Sequence, residues 1–321
     1  MKIDPGYKNL SVIVPVYNEK EVLAEFHKRL SSVLDSLPLT SEVLYVNDGS
    51  NDNTLDIVRD LSTTDPRVAF IDFSRNFGKE VALSAGLDHA VGDAVVVIDA
   101  DLQDPPELIP ELLKYLDEGY DVIYAQRTSR KGESFFKKTT AAGFYRLIQS
   151  FGRVTIPKDT GDFRVLSRRA VDALKKIHER HRFMKGLFTW IGYPQKAVTY
   201  ERDERYAGVT KYNYWKLWNF ALEGITSYTA APLKLATYFG FMTAFCAFLY
   251  ALIIVIKTLL FHEPVRGYAS LMVVMLFLGG VQLVFIGILG EYLGRTYNEA
   301  KGRPLYFLQE YTPARIFKTH A

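Results

Sequence analysis

The chain has 321 residues, of which 48% are hydrophobic and 14% aromatic, and its formal net charge at pH 7 is +3. This length and apolar content are enough for one large or two medium-sized domains and exclude a disordered chain. The small net charge gives no argument for nucleic acid as a partner, and the single cysteine, Cys246, excludes an intrachain disulfide and a cysteine-based metal site.

The first 125 residues alternate between short apolar runs, typical of buried strands, and segments with the apolar spacing of helices. Asp52 or Asn53 can cap the second helix, and proline stands in the first turn of the fourth. Strands that alternate with helices and are apolar throughout predict an α/β fold with a doubly wound, mostly parallel sheet. The predicted strands are 10–16, 43–46, 68–73, 94–98 and 122–125, and the predicted helices are 22–33, 55–61, 79–91 and 106–116.

Polar clusters follow four of the predicted strands, each at the point where the strand ends. Ligands of open parallel sheets bind beyond the carboxyl ends of the strands, so we expect these turns to form one site. The clusters are Tyr17-Asn18-Glu19, Asn47-Asp48-Gly49-Ser50, Ser74-Arg75-Asn76 and Asp99-Ala100-Asp101.

Residues 126–210 show a less regular pattern. We expect a helix near 135–151, a turn at 159–162 and another helix from Arg168. Residues 212–228 then predict a helix whose apolar, aromatic face suits the membrane interface. An ordinary amphipathic helix packed on the domain is the alternative.

Two segments, 235–256 and 269–290, each run for 22 residues without a charged side chain. About 20 apolar residues cross a bilayer, whereas buried core helices, the alternative, normally keep a polar face. The link at 262–268 carries one arginine and one glutamate, while five lysines and arginines follow the second segment. Both ends of this transmembrane hairpin are therefore expected on the cytosolic side.

These patterns predict a multi-pass protein of the inner (cytoplasmic) membrane, and no signal peptide opens the chain. The glycines of the second span allow close helix contacts, as in a homo-oligomer. The predicted parts are a cytosolic domain at 1–211, an interfacial helix at 212–230, the hairpin at 231–294 and a cytosolic C-terminal tail at 295–321.

Asp99 and Asp101 stand at the exit of the fourth strand, where a turn lets both carboxylates converge. Their hard oxygen atoms suit Mg²⁺ or Mn²⁺, which one or two carboxylates hold together with phosphate oxygens of a substrate. The alternative is a simple turn with helix capping, which the preceding buried strand disfavours. Asp104 adds a charge at the start of the next helix or a contact to the ligand.

Asp48, which is followed by glycine, suits the ring N–H of a nucleobase, with an Asx turn as the alternative. The chain has no G-x-G-x-x-G or Walker sequence, so the phosphates of a nucleotide need another hold. Arginine and lysine side chains can supply it, unless they form a solvated cluster at lipid headgroups. The basic candidates are Arg202, Arg205 and Lys211, around Gly208, and Arg75 and Lys79.

Six segments carry a family resemblance: SVIVPVYNE, VNDGSNDNT, SRNFGKE, IDADLQDPPE, TGDFR and ERYAGVTKY. In this order they resemble the family 2 glycosyltransferases of the polyprenyl-phosphate branch, and the match covers essentially the whole chain. The hairpin followed by GEYLGRTYNEAKGRPLY most resembles the bactoprenol glucosyltransferases of that branch. The resemblance implies a GT-A fold. It also implies inverting transfer of one hexose, with glucose as the expected sugar, from a UDP-sugar donor to a polyprenyl phosphate in the membrane.

The resemblance also implies roles for individual residues. Asp159 and Asp162 both fit the family's catalytic base, with Asp159 preferred, and Asp101 is counted among the catalytic residues. Since a phosphate monoester, with a second pKa of about 6, is already mostly anionic at pH 7, this acid need only orient it. The donor site would comprise Pro15, Tyr17, Glu19, Asp48, Asp99, Ala100, Gln103, Arg205 and Lys211, with metal on Asp99 and Asp101, and the acceptor phosphate would face Arg75, Lys79 and Arg202.

Two other functions are compatible with the sequence. A mannosyl or aminosugar transferase of the same branch would use the same site with another donor. A non-catalytic nucleotide-sugar sensor or flippase partner would bind the donor without forming a metal-dependent glycolipid.

Overall fold

The structure is a computed structural model and describes residues 7–128, 160–180, 182–200, 231–261 and 267–317. The strands are β1 Asn9–Val16, β2 Thr40–Asn47, β3 Val68–Phe73, β4 Ala94–Val97, β5 Val122–Arg127, β6 Thr160–Ser167, β7 Gln195–Tyr200 and β8 Leu308–Thr312. The helices are α1 Leu23–Asp35, α2 Thr54–Thr64, α3 Lys79–His89, α4 Ile109–Asp117, α5 Arg168–Lys175, α6 Met184–Trp190, α7 Ala231–Phe261 and α8 Tyr268–Ala300, with 3₁₀ turns at Pro106–Leu108 and Arg315–Phe317.

The eight strands of the described residues form one sheet, in the order β7-β5-β6-β4-β1-β2-β3-β8. Strand β1 pairs in parallel with β2 and β4, β2 with β3, and β5 with β7. The exceptions are β6, antiparallel to β4 and β5, and β8, antiparallel to β3. The mostly parallel, doubly wound sheet of the sequence analysis is confirmed, and the carboxyl ends of β1 to β4 lie at one edge.

Alternating side chains of the strands bury themselves in two apolar layers, one on each face of the sheet. Val12 and Val14 of β1 lie in the layer that contains Phe26 of α1. Ile13, between them, lies in the opposite layer with Leu83 of α3. Burying a side chain of this size stabilises the fold by about 1.5–3 kcal/mol, so this alternation fixes the strand register.

The elements predicted before residue 128 are confirmed, with ends that shift by a few residues. The turn predicted at 159–162 is wrong for its described part, because Thr160 to Asp162 open strand β6, where Thr160 pairs with Gln126 of β5. Glycine and aspartate favour turns, but pairing with strands on both sides prevails here. The helix from Arg168 is confirmed, and the helices predicted near 135–151 and 212–228 lie outside the described residues.

Helices α7 and α8 contain two stretches long and apolar enough to span a membrane, Ala236–Lys257 and Ser270–Ala300. The most apolar part of each stretch is not buried, so the alternative interpretation of these segments as buried core helices is wrong. Phe241 is 76% exposed and Leu293 is 71% exposed. The rings of Phe239 and Phe285 meet edge to face at 6.4 Å, which brings the two helices into contact.

The chain after α8 returns to the sheet, which the sequence analysis did not predict. Strand β8 covers the edge of β3, with Phe70 opposite Thr312 and Asp72 opposite Glu310. The segments before α7 and after α8 therefore belong to one sheet. If the two helices cross a bilayer, both of their outer ends lie on the same side of it.

Candidate active site

The turns that follow β1 and β2 are joined by hydrogen bonds at the carboxyl edge of the sheet. The backbone N–H of Asn18 donates to Ser50 Oγ at 3.0 Å, and the N–H of Asn51 donates to Asn18 Oδ1 at 2.8 Å. Asn18 adopts a left-handed conformation (φ 55°), which asparagine tolerates better than most residues. The structure thus confirms that these separate polar clusters converge.

Asp48 organises the loop that follows β3, residues 74–78, which we call the 74–78 loop. Its carboxylate accepts hydrogen bonds from the backbone N–H of Phe77 at 2.7 Å and of Gly78 at 3.0 Å. Burial raises the pKa of Asp48, although these two donors oppose the rise. Gly49 has φ +64°, and a Cβ there would lie 2.5 Å from the carbonyl carbon of Arg75, so the loop packs where only glycine fits.

The acidic turn after β4 combines accessible carboxylates with a strained backbone. Asp99 is 27% exposed at its side chain, while Ala100 is buried. Asp101 Oδ1 accepts a hydrogen bond from the N–H of Gln103 at 3.2 Å. Leu102 between them has φ 58°, a region that a leucine rarely occupies, and is buried. Strain of this kind is concentrated at functional sites, which favours a ligand-binding role for the turn.

Lys79, the first residue of α3, joins the acidic turn to strand β6. Its Nζ lies 2.7 Å from Asp99 and 2.5 Å from Asp162 Oδ2. The lysine side chain keeps 43% of its surface accessible, whereas that of Asp162 keeps 11%. A cation therefore lies between two carboxylates at the edge of the sheet and is still reachable from solvent.

The charges of this group depend on one another. Burial alone would raise the pKa of Asp162, but Lys79, and then Lys185 and Arg164, bring it well below its usual range. The pKa of Asp99 stays raised because burial outweighs the attraction of Lys79. Burial also opposes the charge of Lys79, yet the two carboxylates hold its pKa well above the ordinary value. Lys79 is therefore fully protonated near neutral pH.

Three charged residues around Asp162 were not among the predicted site residues: Arg164, Glu80 and Lys185. Arg164 is buried, donates to the backbone oxygens of Asp162 and Gly161, and lies 3.8 Å above the ring of Phe188. Burial lowers the pKa of Arg164 to about 10 and, together with Asp162, raises that of Glu80 to about 7. Lys185 Nζ donates to the Thr160 oxygen at 3.0 Å. The available signal was the position of Arg164 inside TGDFR and of Glu80 inside SRNFGKE, whereas Lys185 lies in neither motif.

The side chain of Asp104 is buried and has a structural role. It accepts a hydrogen bond from the Tyr200 hydroxyl and lies 3.8 Å from Arg127 Nη2. Tyr200 is the last residue of β7, so this bond ties the acidic turn to the edge of the sheet. The contact to a ligand that the sequence left open for Asp104 is not available in this arrangement.

The remaining residues predicted for the site lie in different parts of the structure. Pro15 is buried inside β1, and Tyr17, Glu19 and Gln103 are partly exposed at the same edge. Arg75 is exposed, with its guanidinium 4.1 Å above the ring of Phe77, on the side of the 74–78 loop. Four candidates, Asp159, Arg202, Arg205 and Lys211, lie outside the described residues.

The acidic turn has a donor set that can be compared with the needs of a divalent cation. No three Asp, Glu, His or Cys side chains form a metal-binding group within the part of the chain that is described. Magnesium and manganese need only one or two carboxylates when substrate phosphates complete the shell, and Asp99 and Asp101 supply these. Asp162 Oδ1 is buried and has no hydrogen-bond partner among the described residues, so it has unused acceptor capacity beside them. The donor set therefore fits such an ion.

A mostly parallel α/β sheet with an acidic turn at its carboxyl edge is typical of enzymes that bind their substrate beyond the strand ends, and comparison with known proteins identifies the class. The model of glycosyl transferase family 2 matches residues 11–175, and that of the GtrB C-terminal hairpin matches 231–296. The chain belongs to glycosyl transferase family 2 and is a glycosyltransferase with a GT-A fold.

Similar proteins cover nearly the whole chain. An uncharacterized glycosyltransferase of Synechocystis, sll0501, is 51% identical over 94% of this chain and 95% of its own. The SfII prophage-derived bactoprenol glucosyl transferase of Shigella flexneri is 48% identical over 94% of this chain and 97% of its own. Among solved structures, glucosyl-3-phosphoglycerate synthase from Mycobacterium tuberculosis, in complex with Mn²⁺, UDP and phosphoglyceric acid, is 19% identical with a TM-score of 0.47, covering 68% of this chain and 76% of that one.

Proposed function

We propose that this enzyme transfers one glucose, with inversion, from UDP-glucose to a polyprenyl phosphate at the cytosolic face of the membrane. The observation that carries the proposal is the juxtaposition of Asp99, Lys79 and Asp162 at the carboxyl edge of the sheet. The bactoprenol glucosyl transferase that is 48% identical supports the acceptor and the sugar. The choice of UDP as the donor nucleotide is based on the family resemblance.

Donor binding is assigned to the turns after β2 and β4. Asp48 keeps lone pairs for a ring N–H of uracil while it holds the 74–78 loop. Asp99 and Asp101 would hold Mg²⁺ or Mn²⁺, which would supply positive charge for the departing diphosphate. Arg205 and Lys211, which the family resemblance places at the donor, would bind the same phosphates.

The acceptor phosphate is assigned to the Lys79 side of the site. A polyprenyl monophosphate is mostly dianionic at pH 7, so it needs a cation to receive it and little proton removal. Lys79 is charged, accessible and 2.5 Å from Asp162 Oδ2, which fixes its position. Asp162 would orient the lysine and the phosphate for attack on the anomeric carbon; Asp159 is kept as the alternative acid. Correct orientation of two bound reactants accounts for much of such a rate enhancement.

Membrane attachment fits an acceptor that cannot leave the bilayer. The segments on both sides of α7 and α8 share one sheet, so the catalytic domain and the residues after α8 lie on the same side. The excess of lysine and arginine after α8 favours the cytosolic side.

The proposal is tested with purified enzyme in liposomes that contain undecaprenyl phosphate, incubated with radiolabelled UDP-glucose. We expect an organic-extractable labelled lipid that requires the acceptor, disappears with a chelator and returns with Mg²⁺ or Mn²⁺. The anomeric configuration of the product, read by NMR, should be opposite to that of the donor. Absence of labelled lipid across UDP-glucose, GDP-mannose and UDP-aminosugars would contradict the enzyme proposal, while product from another donor alone would replace only the sugar.

Variants of one strand provide a matched comparison. Asp99→Asn and Asp101→Asn remove carboxylates at the carboxyl end of β4 and should abolish metal-dependent turnover. Asp93→Asn removes an exposed carboxylate just before β4, where it accepts hydrogen bonds from the N–H groups of Lys8 and Asn9, and should keep near-normal activity. Equal activity of all three variants would refute the metal assignment.

A further inference from the structure

The chain that leaves α8 packs beside the donor side of the site. It turns at Gly302 (φ +60°), and residues 306–312, which we call the C-terminal segment, then lie along β3 and α3. Strand β8 accounts for residues 308–312 of this segment. The polypeptide that joins the second apolar helix to the sheet therefore also contacts β3 and α3, the elements on either side of the 74–78 loop.

The start of the C-terminal segment holds the 74–78 loop. The N–H of Ser74 donates to the Phe307 oxygen at 3.0 Å. The rings of Phe307 and Phe77 are 6.5 Å apart, and Tyr306 stacks on Phe73 at 5.1 Å. Phe73 in turn meets Phe77 edge to face at 5.6 Å. Four aromatic rings thus connect the C-terminal segment to the loop, at separations where ring pairs attract each other.

The same segment contacts the far end of α3, the helix that begins with Lys79. The Tyr306 hydroxyl donates to Asp88 Oδ2 at 3.1 Å, and the rings of Tyr311 and His89 are 4.9 Å apart. Helix α3 is therefore held by the C-terminal segment near its last turn, while the loop before its first residue is held by Phe307. Both contacts lie on elements that flank the 74–78 loop.

Exposure separates this arrangement from ordinary core packing. Phe307 is 57% exposed and Leu308 is 40% exposed, whereas Phe73 is buried. Truncating an exposed ring removes little buried apolar area, so its loss should cost the fold little. The N–H groups of Phe77 and Gly78 reach Asp48, and the ring of Phe77 is the one that Phe307 contacts. The ring of Phe307 is thus better placed to order the loop than to stabilise the domain.

We propose that Tyr306 and Phe307, at the start of the C-terminal segment, are positioning residues of the donor site, with Phe307 as the main one. They order the 74–78 loop so that Asp48 is preset for the nucleobase of a nucleoside diphosphate. Because this segment directly follows α8, donor affinity depends on chain that lies beyond the membrane helices. The inference rests on the proposed donor class, a UDP-sugar, and adds a determinant outside the turns that follow the strands.

The test compares Phe307→Ala with Leu308→Ala, the next residue of the segment, in the full-length protein in detergent. UDP affinity is measured by calorimetry, and the KM for UDP-glucose, the KM for undecaprenyl phosphate and kcat are measured in liposomes. The loss of one aromatic pair predicts that Phe307→Ala weakens UDP binding and raises the UDP-glucose KM by about three- to tenfold, with the lipid KM unchanged. Phe307→Tyr should restore both values, and Leu308→Ala should resemble the wild type.

Hydrogen exchange of the Phe77 and Gly78 amides gives a direct readout of the loop. These amides should exchange faster in Phe307→Ala and keep their protection in Leu308→Ala. Unchanged UDP affinity and exchange in Phe307→Ala would overturn the proposal, as would equal losses in both variants or a loss of thermal stability alone. If the wild type binds UDP but forms no glycolipid with any donor, the proposed function fails while this comparison still decides the positioning role.

Discussion

Glu80 should make the stability of the domain fall as pH rises through the neutral range. It follows Lys79 in α3, and its Oε2 accepts a hydrogen bond from the N–H of Met184 at 2.8 Å. Burial is the main cause that raises the pKa of Glu80 from 4.5 to about 7, and the negative charge of Asp162 is the second. The perturbation we choose is Glu80→Gln, which keeps an oxygen acceptor for Met184 and removes the titration.

The sign and the size follow from linkage between protonation and folding. The folded state holds the proton more tightly than the unfolded chain does, so this contribution to stability is complete below pH 4.5 and is lost as pH rises through about 7. A pKa difference of this size corresponds to about 3 kcal/mol, which we take as an upper limit because Glu80 is only partly buried. The glutamine variant should lack this loss.

The assay is urea-induced unfolding in detergent, followed by circular dichroism, for both proteins between pH 4 and pH 8. We expect similar free energies of unfolding near pH 4 and a growing advantage of Glu80→Gln that levels off above pH 7. The difference between the two curves isolates this carboxyl group from the others that titrate in the same range. A difference that stays constant across the whole pH range would refute the reasoning.

Three further changes have expected outcomes. Lys79→Met leaves two carboxylates without their cation and should lower kcat by about 100-fold or more. Lys114→Met, on the exposed side of α4, should leave kcat unchanged. Single-turnover product formation distinguishes the two variants, and equal rates would contradict the role of Lys79. Gly49→Ala places a Cβ 2.5 Å from backbone and forces φ +64° on alanine, so UDP affinity by calorimetry should fall clearly; normal affinity would count against the loop packing described here. Tyr200→Phe leaves the buried carboxylate of Asp104 without the hydroxyl donor of Tyr200 and should reduce the free energy of unfolding by about 1–3 kcal/mol. Urea titration would detect this loss, and its absence would argue against the hydrogen bond between Tyr200 and Asp104.

The carboxyl edge of the sheet could be predicted because it depends on local patterns. Apolar runs mark the buried strands, and parallel order brings the ends of neighbouring strands together. These two rules are enough to join the clusters around Asn18, Asp48 and Asp99 from the sequence alone. The predicted bounds of strand β3, 68–73, agree with the structure, since its apolar residues end where the polar turn begins.

The partner of Lys79 could not be predicted from local pattern. Asp162 is 83 residues from Lys79, and the two meet only because β6 runs antiparallel between β4 and β5. Its opening residues, Thr160 to Asp162, are typical of turns, so the pattern hides the strand. Strand β8 was missed for another reason. It is a short, largely exposed edge strand with a glutamine and a glutamate, and such strands carry little hydrophobic periodicity.

The position of β8 limits how the catalytic domain can sit above a membrane. Only residues 301–307 separate α8 from β8, a span of at most about 25 Å when fully extended. The N–H of Arg180 also donates to Glu299 Oε1 at 2.7 Å, which holds the end of α8 against the domain. The loop at Arg180 and the edge of the sheet formed by β3 and β8 are therefore both held near the end of α8. Strand β3 leads directly into the 74–78 loop and Lys79, so under the proposed function a short connection of this kind keeps the cation for the acceptor near the lipid surface. Inserting flexible glycine and serine directly after Lys301, which leaves Tyr306 and Phe307 in place, should raise the KM for undecaprenyl phosphate while leaving UDP affinity unchanged.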